Sequence, residues 1–367
     1  MSPSCTIHID PLPCWLVSLS AVTVSQVSFP HARRLISHPE GVHRVGGRLL
    51  VGVRAAGRLQ VFDVEALLAG DVRPVVEFPV PWPDRAWPGN TFTPDLTTAV
   101  WSGPDRVRAI DPAGAVRWEW RHEETPWGVG EDGSTFATAD GRQVWAVVPG
   151  TDNPEWIVLD AATGRLIDRS PLPWRANGYR HLAHPDGRRV GLNLIADDIC
   201  GMFWGRRALP MDVVEVYSEE EIVADVDPTG RLMATVHTTG YFIRLRQFPA
   251  GDAVVAWADS REVGRLLGIE ANGYLRHWWR TRGGFLDARM YLACCRESGT
   301  NELTHWLFNV PFSADGEYAD EVIGGQLSGP IRYPAPVAEH LWPLGDTTWL
   351  TADAEALHRW RLAPGPV

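Results

Sequence analysis

The sequence predicts an all-β chain of seven repeated four-stranded antiparallel units, and three observations carry that reading. Ala176-Asn177-Gly178-Tyr179-Arg180-His181 returns as Ala271-Asn272-Gly273-Tyr274-Leu275-Arg276-His277, and Glu339-His340-Leu341-Trp342 gives a looser third copy. A phrase repeated at such a distance marks a repeated structural unit. Apolar strand anchors recur at intervals of about 40 to 60 residues, the length that a four-stranded unit needs. The 35 glycines and 29 prolines are spread along the whole length, which fits many short strands joined by turns.

The anchors follow one another in order. Leu59–Asp63, Val107–Asp111 and Trp156–Asp160 begin the series, Gly201–Trp204 and Tyr241–Leu245 continue it, and Thr304–Phe308 and Leu357–Trp360 complete it. Between strands, Asp111-Pro112-Ala113-Gly114, Asp160 to Gly164 and Asp227-Pro228-Thr229-Gly230 each set an acceptor side chain ahead of a glycine that tolerates positive φ. The longest gap holds Asp259 to Leu267, where Val263, Leu266 and Leu267 have helical spacing, so one short helical insertion is expected there. A flat sheet of so many strands would leave open edges, whereas radial closure leaves only short ones. The expectation is therefore a seven-bladed β-propeller, one domain over residues 1–367 with full blades from about 40 to 362. The segment around Leu16 to Ser28 would close the last blade beside Leu357–Leu362.

Composition excludes several kinds of chemistry. The chain has no lysine, so its 34 basic residues are all arginine, and a lysine Schiff base, a P-loop lysine and a lysine general base are ruled out. A formal charge of -11 with no basic block argues against a nucleic-acid partner. No run approaches the length of a membrane-spanning helix. Cys14 to Ala21 lacks the flanks of a signal peptide, and the five scattered cysteines form no disulfide framework, so a cytoplasmic location is expected. Adjacent Asp197 and Asp198 face opposite ways on a strand, Cys294 and Cys295 read as buried strand residues, and Glu219 to Glu221 reads as a solvated loop.

The turns His184-Pro185-Asp186-Gly187 and Asp227-Pro228-Thr229-Gly230 resemble those of WD40-type repeats. Val107 to Trp120 and Trp156 to Ile167 are similar to quinoprotein and YVTN-type propeller repeats. The likeness extends over about residues 40 to 362, although the Gly-His and terminal Trp-Asp dipeptides of WD40 repeats are mostly missing. The resemblance implies a divergent seven-bladed member of that superfamily, and such a fold does not by itself choose a function.

Candidate site residues come from positional equivalence. The place of His181 in blade 4 corresponds to Asn90 in blade 2, Trp127 in blade 3, Ala224 in blade 5, His277 in blade 6 and His340 in blade 7. These positions lie on innermost strands around a central channel. Arg180, Arg276 and Glu339 precede the histidines, so strand alternation turns each pair to opposite faces. With Trp278 and Trp342, these residues outline a Trp/Arg/His-rich face where the connections enter the innermost strands, called the inlet face below. Ala224 would be small to leave space between Arg180-His181 and Arg276-His277.

Two functions fit. One is a non-catalytic binding module offering the inlet face to a protein, peptide or small-molecule partner. The other is a small-molecule enzyme in which His181, His277 or His340 supplies acid–base chemistry at the channel mouth while Arg180 or Arg276 holds an anionic group. No nucleophile elbow, zinc helix or phosphate loop is present, and no cofactor is indicated. No local ligand spacing points to a metal. Were one bound, His181, His277 and His340 would be its ligands.

Overall fold

The chain folds back where its sequence marks turns. In the computed structural model, Asp111 Oδ1 accepts the Ala115 N–H at 2.9 Å while Gly114 takes φ +90°. Asp227 Oδ1 likewise accepts from Arg231 and Leu232 at 2.7 and 2.6 Å. The structure describes residues 25–28, 42–45, 47–82, 89–103, 105–122, 133–196, 200–207, 211–216, 220–266, 277–298, 300, 302–310, 323–324, 327–331, 333, 340–352 and 356–362.

Seven sheets form the blades, all antiparallel except that Ile323–Gly324 adds a short parallel strand to the outer edge of the blade 5 sheet. Blade 1 runs Val42–Val45, Arg48–Ala55, Arg58–Asp63 and Val76–Pro79, from the innermost strand outward. Blade 2 comprises Asn90–Phe92, Ala99–Ser102, Arg106–Ile110 and Val116–Arg121. Blade 3 comprises Thr135–Ala137, Gln143–Val148, Glu155–Asp160 and Leu166–Pro171. Blade 4 comprises Gly178–Ala183, Arg189–Ile195, Cys200–Arg206 and Asp212–Val216. Blade 5 comprises Glu221–Val226, Leu232–His237, Phe242–Gln247 and Val254–Asp259. Blade 6 comprises His277–Phe285, Met290–Glu297, Leu303–Asn309 and Leu327–Pro330. Blade 7 joins His340–Pro343, Thr348–Ala352 and Ala356–Arg361 to Ser25–Ser28, with Ser25 opposite Arg359 and Ser28 opposite Ala356.

Each blade sheet has two apolar faces, and each face is buried against a neighbour. The buried side chains accordingly fall into seven clusters, one per blade junction. Alternate residues Leu49, Val51 and Val53 of blade 1 share one face, which meets Leu350 and Leu357 of blade 7 and so completes the ring. Burial of apolar surface at every junction is what holds the blades, since neighbouring sheets exchange few backbone bonds. Indoles supply much of this filling: Trp145 and Trp156 lie with ring centroids 4.8 Å apart between blades 3 and 4. Trp118 of blade 2 donates its Nε1–H to Ala161 O at 2.8 Å, in the turn that ends at Gly164 of blade 3. A Cβ on Gly164 would come within 2.5 Å of that indole, so the glycine serves both the positive φ of the turn and the neighbouring blade.

Three local features differ from the sequence reading. The insertion helix is Ser260–Leu266; Val263 is buried, but Leu266 is 46% exposed, so its apolar stripe is narrower than the spacing implied. A second short helix, Val64–Leu68, follows blade 1's third strand directly, because the Asp63 side chain accepts the N–H groups of Glu65 and Ala66 and caps it. Glu221 is not a solvated loop residue. It is only 1% exposed, and Arg246 donates to it in bidentate fashion at 3.0 and 2.7 Å, joined by Arg244 and the Thr235 hydroxyl. These donors hold its carboxyl below the usual range despite the cost of burial. Cys294 and Cys295 are buried in the second strand of blade 6, as read. Asp197, Asp198 and Glu219 lie outside the described residues.

Candidate functional site

His181 sits on the innermost strand of blade 4 and turns toward blade 3. Trp156 Nε1 donates to His181 Nε2 at 3.0 Å, which makes Nε2 the acceptor and leaves the proton on Nδ1, 2.8 Å from Ser134 Oγ. Loss of hydration pulls its pKa down to about 3, so the ring is a neutral staple between two blades. Strand alternation sends the preceding residue the other way: Arg180 reaches blade 5, its Nη2 3.5 Å from Ala224 O. The residue that crosses toward blade 5 is thus Arg180, and His181 is directed away from it.

Ala224 is itself a packing residue, 3% exposed within the junction of blades 5 and 6. It is the extra residue of a β-bulge, since Val223 pairs with Thr235 while Asp225 pairs with Ala234. The bulge re-aims Asp225. Its Oδ1 accepts the Val226 N–H and its Oδ2 the Phe285 N–H, both at 2.8 Å, so a blade 5 carboxyl caps the end of blade 6's innermost strand. Loss of hydration pushes its pKa up to about 6, against the pull of those two N–H groups and of the Arg180 charge.

Blade 6 is shaped to receive this group. Its innermost strand carries a bulge between Arg280 and Gly283, after which Gly283 and Gly284 approach two polar side chains. A Cβ on Gly284 would lie 2.6 Å from Asp225 Oδ2, and one on Gly283 would lie 2.7 Å from the Tyr291 hydroxyl. Tyr291 is fully buried, and among the described residues its hydroxyl has no hydrogen-bond partner. Burial, then the nearby Asp225 carboxylate, raises its pKa, and Arg180 opposes that shift. Arg180, Asp225 and Tyr291 therefore lie within electrostatic reach of one another at the meeting of blades 4, 5 and 6. Pro343 of blade 7 borders Gly284.

The other sequence candidates are distributed as follows. His277 opens the innermost strand of blade 6, opposite Glu297, and is buried. His340 opens that of blade 7, opposite Ala352. Asn90 opens that of blade 2, opposite Trp101, and is half-buried. Trp342 packs against the cluster joining blades 7 and 1. Trp127, Arg276 and Glu339 lie outside the described residues, and the innermost strand of blade 3 is Thr135–Ala137. Among the described residues no group of three His, Cys, Asp or Glu could hold a metal ion.

Among the described indoles of the inlet face Trp278 is the exposed one, at 36%, whereas Trp279 is buried and Trp174 packs against Phe203. Beside it lies the turn between the second and third strands of blade 5. Trp279 N–H donates to Gly240 O at 2.9 Å, and a Cβ on Gly240 would meet the Trp278 Cβ at 2.9 Å. Tyr241, next in that turn, is 44% exposed and stacks on His237 with centroids 5.1 Å apart. The His237 Nδ1 accepts from the Thr239 N–H at 3.2 Å, so Nε2 donates to Glu220 at 2.9 Å. Sequence reading missed Asp225 and Tyr241; the Gly283-Gly284 pair was the available signal for the first.

No family model matches the chain, and no curated protein sequence matches it. Many solved structures do match in fold. Prolyl oligopeptidase B from Galerina marginata superposes with a TM-score of 0.52 at 8% identity, covering 91% of this chain and 50% of that one. Hsv2p of Kluyveromyces lactis gives 0.49 at 12% identity over 84% of this chain and 86% of that one. The Cps50 (Swd1) β-propeller domain of Myceliophteria thermophila gives 0.45 at 11% identity over 75% and 82%. The fold is a seven-bladed β-propeller. At such identities the likeness concerns fold alone. No helix among the described residues is long and apolar enough to cross a membrane.

Proposed function

We propose that the chain is a non-catalytic binding module that takes a protein or peptide on its inlet face, at the corner between blades 5 and 6. The observation that carries this reading is the pair Trp278 and Tyr241, both exposed on one corner and both fixed from beneath. Trp278 is anchored by the backbone bond between its neighbour Trp279 and Gly240, and Tyr241 by stacking on a histidine whose two nitrogens are engaged. Rigid, amphipathic aromatic side chains presented by a stiff frame are the usual anchors of a protein interface, because little side-chain entropy is lost when they are covered.

The experiment is a peptide-display selection on the purified wild-type chain, followed by affinity measurement of the enriched peptides. The double variant Trp278→Ala, Tyr241→Ala should weaken them by at least about tenfold, while Val116→Ser, on the outer strand of blade 2, should leave them unchanged. Failure to enrich any peptide, or equal binding by all three proteins, rejects the reading.

A further inference from the structure

We propose that Arg180, Asp225 and Tyr291 form a binding site for a small carboxylate at the meeting of blades 4, 5 and 6, distinct from the inlet-face corner. The site is built: both Asp225 oxygens are fixed by backbone N–H groups at 2.8 Å, and Gly283 and Gly284 stand where any side chain would strike Tyr291 or Asp225. Tyr291 is fully buried, while Arg180 and Asp225 each keep part of their surface in solvent.

The Tyr291 hydroxyl points to an occupant. A buried hydroxyl without a partner is destabilising, a penalty that a bound acceptor removes. Other indole N–H groups, those of Trp145 and Trp204 among them, are also buried without a partner, but no built cradle comparable to Gly283-Gly284 with Asp225 is set beside them. Around Tyr291 the neighbours are a guanidinium and a carboxyl.

The donor set selects the ligand. Arg180 brings a fixed positive charge and Tyr291 an O–H donor. Asp225, once protonated, can accept both backbone N–H groups and still donate its own proton outward. Three donors and a positive charge suit a carboxylate, which forms charge-assisted hydrogen bonds with them and repels an ionised Asp225. Binding is thus coupled to the uptake of one proton, which passes from solvent to the Asp225 carboxylate with no bond in the ligand broken. Among the described residues, the charged or titratable groups that face Asp225 are Arg180 from blade 4, Asp227 on its own blade and Tyr291 from blade 6. Blade 7 contributes the uncharged Pro343.

Carbon-13-labelled acetate titrated into the full chain and followed by NMR tests this. Saturable one-to-one binding is expected at about pH 6, weakening by more than about tenfold at about pH 8, where Asp225 no longer takes up the proton readily. Tyr291→Phe removes one oxygen that has no partner, so the fold should survive, and acetate should bind about tenfold more weakly. Arg180→Met should reduce it at least as much. Absence of saturable binding to the wild-type chain at about pH 6, equal affinity at both pH values, or unchanged affinity in a folded Tyr291→Phe overturns the proposal. None of these outcomes bears on peptide capture by Trp278 and Tyr241.

Discussion

Trp156 hands its indole N–H to His181 across the junction of blades 3 and 4 at 3.0 Å. His181→Ala removes this bond and the one to Ser134, and it leaves the indole N–H buried without an acceptor. A loss of about 2–4 kcal/mol in chemical denaturation at about pH 7.5 is expected.

The same imidazole gives a pH signature. Its folded pKa of about 3 lies below the ordinary 6.5, so between those values the unfolded chain binds a proton that the folded chain refuses. Its contribution is therefore complete above 6.5 and is lost as pH falls, at up to about 1.4 kcal/mol per unit. His305, lowered to about 4 by burial, acts in the same direction. The difference in stability between wild type and His181→Ala should shrink from about pH 7 to about pH 4; a difference constant with pH contradicts the buried neutral ring.

Asp225 works with the opposite sign. Its folded pKa is raised from 3.8 to about 6, so the stability linked to its protonated form is complete below 3.8 and is lost as pH rises through about 6. Up to about 3 kcal/mol should disappear over that window in the wild type, and this loss should be absent from Asp225→Ala, when the two are compared by urea denaturation from about pH 4 to about pH 7.

Glu221 is set against the buried guanidinium of Arg246. Glu221→Gln breaks this buried ion pair, at a guanidinium only 3% exposed, and should cost about 3–5 kcal/mol, measured as a shift in denaturation midpoint at neutral pH. Its lowered pKa makes the wild-type contribution one that is present above the ordinary value of 4.5 and lost as pH falls, so the variant's deficit should narrow in acid.

Gly284→Ala places a Cβ 2.6 Å from Asp225 Oδ2 and 3.0 Å from the Pro343 ring. The carboxyl must move, and Phe285 N–H loses its acceptor. A cost of about 1–3 kcal/mol is expected, together with faster hydrogen exchange at the Phe285 amide.

Much of the ring was legible because its signals are local. Each Asp-to-Gly turn and each anchor such as Trp156–Asp160 lies within a few residues, and strand alternation placed Arg180 and His181 on opposite faces as the structure has them. What escaped depends on register. Counting back from Asp227 assigns the inward place to Ala224, but a bulge inserts that residue and hands the position to Asp225. Glu221 escaped because its partners, Arg244 and Arg246, arrive from a strand two turns later and pull an apparent loop residue into the core. Pairing between distant residues leaves no pattern in either stretch alone.

Ile323–Gly324, which follows the third strand of blade 6, crosses to lie parallel to Ala256 and Trp257 on the outer strand of blade 5. A propeller's blades can in principle open one at a time, as separate cooperative units. Here a segment of one blade's connection is stitched to the rim of its neighbour, so either sheet can fray at that edge only by releasing the other. Blades 5 and 6, which between them supply Asp225, Tyr291, Tyr241 and Trp278, are thereby tied into a single unfolding unit, and the corner and the buried cluster share one threshold of local opening.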